Sequence, residues 1–92
     1  MSTGEQRLRP HPAVVDTEVD GEVVLLHLES TTYYSLNATG ARIWQGLKQG
    51  LSVQEISQRL QAEFAVEAEQ ATQSVRALLT ELLQQQLVQR SE

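Results

Sequence analysis

Ala13 to Val19 is a valine-rich run that leads into Asp20-Gly21, a dipeptide that readily takes the positive φ values of a two-residue hairpin turn. The pattern predicts strand, turn, strand. The second run, Glu22 to Leu28, carries Val23, Val24, Leu25, Leu26 and Leu28, so both its faces are apolar and it should lie centrally in its sheet. Glu29-Ser30-Thr31-Thr32 reads as a polar turn, and Tyr33-Tyr34-Ser35-Leu36 as a short strand that stops at Asn37. These runs make an antiparallel three-stranded meander. Its last strand is an edge, and no later segment has a pattern suited to pair with it.

From Asn37 onward the period is helical. Asn37 is a good N-cap, and Ala41, Ile43, Trp44 and Leu47 give an apolar face before Gly50 ends the helix. Asn37-Ala38-Thr39 also matches a glycosylation pattern, but capping is the better reading in a chain with no secretory signal. Ser52-Val53-Gln54-Glu55 fits a capping box, and Val53, Ile56, Leu60 and Phe64 continue a second helix. A third begins near Glu67 and Glu69, acids that suit the positive end of its dipole, and runs to about Gln85. Its inner stripe is predicted as Ala71, Val75, Leu78 and Leu82. Beside it, Thr72, Arg76, Leu79 and Leu83 form a second stripe, wider than one contact surface needs. Three strands followed by three helices predict a small α+β domain.

The 92 residues allow one core, over residues 13–88, with Met1 to Pro12 as a flexible polar arm and residues 89–92 as a tail. Seven Lys or Arg against twelve Asp or Glu leave a net charge of −5, a field that repels nucleic-acid phosphates and anionic membranes. Cysteine is absent, so disulfides, thiolate metal sites and cysteine nucleophiles are excluded. His11 and His27 fall in the arm and in a strand with no metal-ligand spacing on a helix, the glycines form no phosphate loop, and no nucleophile elbow occurs. These readings predict no enzyme activity, no metal and no cofactor. No apolar run is long enough for a signal peptide or a membrane span, which predicts a cytoplasmic protein.

Two helices joined by a short turn beside a hairpin also describe a winged helix-turn-helix, which makes a DNA-binding regulator the alternative reading. The acids Glu67, Glu69 and Glu81 outnumber Arg76 along the third helix, where DNA recognition needs cations. A structural subunit that binds a partner protein through the same edge is a third reading. An exposed strand edge beside an over-wide apolar helix face has what an extended peptide needs: unpaired backbone groups for β-augmentation and pockets for side chains.

Val24-Leu25-Leu26-His27-Leu28, the run from Tyr33 through Leu36-Asn37, Gly40 and Ile43-Trp44, and then Gly50, Ser52, Glu55, Ile56, Val75, Leu78, Leu79, Leu82 and Leu87-Val88 resemble the PqqD-like family, the RiPP recognition elements. The resemblance covers residues 13–88. It implies a winged helix-turn-helix-like fold that binds the leader segment of a ribosomally made precursor peptide. In the family, the leader adds as a strand to the third β-strand and sets apolar side chains toward the third helix. Carried onto this sequence, that implies Tyr33, Tyr34, Ser35 and Leu36 on one wall, and Val75, Arg76, Leu79 and Leu83 on the other. Leu79→Asp and Tyr34→Asp are then expected to weaken leader binding without loss of the fold.

The chain departs from the family's quinone-cofactor branch at Leu28–Thr32, where that branch carries an Ala-Pro-Glu-Arg-like stretch. It is more similar to the stand-alone leader-binding proteins of lasso-peptide clusters. That similarity implies a leader-cleaving cysteine protease and an ATP-dependent cyclase as partners. A second departure is Gln86, where the family often has glycine, at the end of the third helix.

Overall fold

The computed structural model describes residues 7–91. Strands β1 (Arg7–Pro10), β2 (Val14–Val19), β3 (Glu22–His27) and β4 (Thr32–Leu36) precede helices α1 (Ala38–Lys48), α2 (Val53–Phe64) and α3 (Ala68–Gln84), and strand β5 (Val88–Ser91) follows. The antiparallel meander β2-β3-β4 and the three helices stand where the hydrophobic pattern put them. At its first turn Asp20 and Gly21 both take positive φ, 55° and 81°, the geometry that matches the twist of the flanking strands. Asn37 caps α1 through Gly40 N–H, and Ser52 and Glu55 complete the capping box of α2.

A second sheet was not expected. Arg7–Pro10, placed by the sequence in a flexible arm, pairs antiparallel with Val88–Ser91, which was placed across the domain end and the tail. Leu8 is the reason the arm holds: it is buried in the core together with Leu87 and Val88. One anchored leucine and a ladder offset the ordering entropy that a polar segment alone could not. Met1–Gln6 of the expected arm, and Glu92 of the tail, lie outside the described residues.

The core lies between the meander and the helices, around Leu25, Ile43, Trp44, Ile56, Val75, Leu82 and Leu87. Helices α1 and α2 approach so closely at Gly46 that an added Cβ would stand 2.7 Å from Ile56 Cγ1. Among the described residues no helix is long and apolar enough to cross a membrane.

Helix α3 ends at the position where the sequence departs from the family. Leu87 N–H donates to Leu82 O and Gln86 N–H to Leu83 O, the two bonds of a Schellman motif, which requires a left-handed residue between helix and strand. Gln86 fills it with φ 61°, a conformation glycine adopts without the Cβ penalty. Gln86→Gly is therefore expected to stabilise the fold by about 0.5–1 kcal/mol, raising the thermal midpoint by roughly 2–8 °C. A calorimetric scan that shows a lower midpoint contradicts this account of the helix end.

Asp16 of β2 ties the sheet to α1. Its Oδ2 accepts from Trp44 Nε1 at 2.6 Å and from Lys48 Nζ at 2.8 Å. The Lys48 ammonium first, and the indole N–H second, hold the carboxyl below its ordinary value. A folded-state value that is depressed contributes stability above the unfolded value of about 4 and loses it as pH falls through the folded value. Asp16→Ala strands the indole N–H of a buried tryptophan, so it is expected to cost about 1.5–3 kcal/mol near pH 7. Urea unfolding at about pH 7 and pH 3 should show that gap narrowing in acid; an equal gap at both would contradict the assignment.

Candidate functional site: an open sheet edge beside a cleft

Backbone alternation decides which groups of β4 are free. Val19 and Glu22 flank the two-residue turn and are partners in the ladder, so Glu22, Val24 and Leu26 direct their N–H and C=O toward β2. The bond from Leu28 N–H to Ala13 O, at 2.9 Å, continues that phase. Val23, Leu25 and His27 then address β4, where they pair with Leu36, Tyr34 and Thr32. Tyr33 and Ser35 are left with N–H and C=O pointing away from the sheet. Among the described residues β4 has one strand neighbour, β3, and β5 has gone to β1 instead.

Side chains alternate in the same register. Thr32, Tyr34 and Leu36 lie on the helix-facing side with Val23 and Leu25, while Tyr33 stands on the outer side beside Leu26, 71% exposed. On the helix-facing side a cleft of about 640 Å³ opens between β4 and α3. Leu36 of β4 and Ile43 of α1 give it an apolar floor, and Leu78 and Ala77 an apolar wall. Ser35, Asn37, Thr39 and Gly40 line the strand and α1 side, and Ser74, Thr80, Glu81 and Gln84 the α3 side. Across the cleft the Tyr34 phenol donates to Glu81 Oε1. Burial, and then the Glu81 carboxylate, push that phenol up to about 12, so it remains a donor at neutral pH.

At the other edge of the meander Val14 N–H donates to His11 O, and the Asp16 side chain is held on the helix-facing side by Trp44 and Lys48. An apolar cleft beside an open edge is thus found at β4.

Of the residues expected to bind, Tyr34, Ser35 and Leu36 line the cleft. Tyr33 offers it backbone groups, with its ring on the opposite side. The α3 residues fall elsewhere: Val75 and Leu79 are core, at 0% and 6% exposed, Leu83 packs partly against the core, and Arg76 is exposed outside the cleft. The expected inner stripe is corrected in the same way, because Ala71, Val75, Leu79 and Leu82 are the buried positions and Leu78 is half-buried. Neighbouring residues on a helix differ by about 100°, so exchanging Leu78 for Leu79 turns the wall by one position. The face that meets the cleft runs through Ser74, Ala77, Leu78, Glu81 and Gln84, spacings of three and four. The small residues Ser74 and Ala77 were the available signal, since they leave room for a ligand.

A second cluster lies at the turn between β3 and β4. His11, His27 and Glu29 bring ligand atoms within 4.8 Å of one another, with the two rings 4.6 Å apart. Both imidazoles, however, accept backbone N–H bonds at Nδ1: His11 from Ala13, and His27 from Glu29 and Ser30. A neutral ring that accepts at Nδ1 carries its proton on Nε2, so it has no lone pair there for an ion. The geometry makes His27 the brace of the turn that starts β4.

The sequence profile of the family described as coenzyme PQQ synthesis protein D (PqqD) matches residues 22–88, the span from β3 to the start of β5. The chain belongs to this family. Two solved structures are similar to this PqqD-family chain. One, TbiB1 in complex with the TbiA(beta) leader peptide, is 37% identical over 88% of this chain and 94% of its own, with a TM-score of 0.84. The other, lasso peptide synthetase B1 complexed with the leader peptide, is 32% identical over 90% and 98%, with a TM-score of 0.83. No curated protein matches the PqqD-family chain significantly.

Proposed function

We propose that this chain is a non-catalytic adaptor that takes the leader segment of a ribosomally made precursor, of the lasso-peptide kind, as an added strand on β4. The observation that carries the reading is the open edge at Tyr33 and Ser35 beside a cleft floored by Leu36 and Ile43. Both similar solved structures hold a leader peptide, which supports the same reading. The adaptor would present the leader to a leader-cleaving cysteine protease and an ATP-dependent cyclase in the cytoplasm. It needs no cofactor for that role.

The energy decides which parts must act together. Four edge groups at about 0.5–1.5 kcal/mol each contribute roughly 2–6 kcal/mol, against about 2–5 kcal/mol lost in ordering the peptide. The edge alone therefore gives little net affinity. Two or three apolar side chains of the leader, at about 1.5–3 kcal/mol each, must enter the cleft, one of them against Leu78. Anisotropy titration of the full chain with a labelled cognate leader should give a dissociation constant in the micromolar range or below. Binding to duplex DNA with steep salt dependence, and none to the leader, would overturn the adaptor in favour of a regulator.

A further inference from the structure

Among the described residues that line the cleft, Glu81 is the one charged side chain. It stands in the closing turns of α3, which ends at Gln84 and has no basic residue in its last turn, whereas α1 ends on Lys48. The carboxylate and the carbonyl end of the helix dipole therefore add at the same wall. At the strand side, the N-terminus of α1 is the opposite pole, but Asn37 already takes its Gly40 N–H. The Tyr34 phenol fixes one carboxylate oxygen from across the cleft, and a carboxylate has lone pairs on a second oxygen to offer a donor. Tyr34 itself belongs to β4, beside the outward groups of Tyr33 and Ser35, so a strand added there passes close to Glu81.

We propose that the cleft reads charge as well as shape: it selects leaders that carry a lysine or arginine where the added strand passes Glu81, with Tyr34 holding the carboxylate ready. The inference rests on the adaptor reading and names the chemistry of the peptide it accepts. Apolar anchors give the affinity, and the cation sets which leaders are taken, because a carboxylate facing a leader acid costs more than one facing a neutral residue.

The test is selection of extended 15-residue random peptides by mRNA display against the full chain, as wild type and as Glu81→Lys. Circular dichroism first establishes that the variant folds, which an exposed position permits. Wild-type pools should enrich lysine or arginine at one fixed spacing from the apolar anchors, and Glu81→Lys pools should enrich aspartate or glutamate at that spacing. The best wild-type peptide should lose about tenfold in affinity for Glu81→Lys and recover it when its cation is replaced by glutamate. Pools that converge on the same apolar anchors with no charge preference, or with the same preference for both proteins, overturn this inference and leave the adaptor standing. If no pool converges, or the enriched peptides bind equally well to a variant with a blocked β4 edge, the adaptor itself fails and the inference falls with it.

Discussion

Leu78→Asp should weaken leader binding by roughly 30- to 150-fold in a folded protein, whereas Leu79→Asp, one residue on, should lose the fold. Leu79 is 6% exposed and sits among core residues, so its replacement buries a carboxylate without a partner. That costs more than about 4 kcal/mol, a large share of the roughly 5–10 kcal/mol that holds a domain of this size. Leu78 is half-buried and faces the cleft, where a carboxylate stays hydrated in the free protein. There the substitution removes an apolar anchor, worth about 2–3 kcal/mol or roughly 30- to 150-fold in affinity. Circular dichroism and leader titration on the two variants separate the outcomes. A Leu79→Asp protein that folds and fails to bind would restore the helix face inferred from sequence and contradict the one seen here.

Ser35→Pro is the corresponding change on the strand wall. The Ser35 N–H points out of the sheet, so proline removes no bond of the meander, and an edge strand with its N–H outward is where proline is tolerated. Tyr34 before it is already extended, as a residue preceding proline must be. The ring nonetheless takes the donor away and stands where the incoming strand would lie. Leader affinity should fall at least about tenfold, while Ser35→Ala, which keeps the N–H, should change it by less than about twofold. Equal affinities for the proline and alanine variants would mean that the leader binds by side chains alone.

Local chemistry made most of the fold legible. Asp20-Gly21, Asn37 and Ser52 through Glu55 each satisfy backbone groups within three or four residues, and each turned out as read. The pairing of Arg7–Pro10 with Val88–Ser91 was invisible because its partners lie about eighty residues apart, and Leu8 alone gives no periodicity. The strand wall was legible as a segment, Tyr33 to Leu36, but not which tyrosine faces the cleft, because alternation assigns sides only once the register with β3 is known. The helix wall was not, since Leu78-Leu79 and Leu82-Leu83 are adjacent leucine pairs with nothing local to set the phase. Packing of α3 against α2 and β5 in the shared core sets it, and turns Leu79 inward and Leu78 to the cleft. The family resemblance identified β4 from its own motif, but the α3 positions it implied, Val75, Arg76, Leu79 and Leu83, are not those that line the cleft.

Amide hydrogen exchange of the full chain, with and without a saturating cognate leader, tests the strand-addition claim most directly. Exchange at Tyr33 and Ser35 should be fast in the free protein and slowed by about tenfold or more when the leader is bound, while Tyr34, already paired with β3, changes little. Unchanged exchange at Tyr33 and Ser35 under a leader that demonstrably binds would contradict the account.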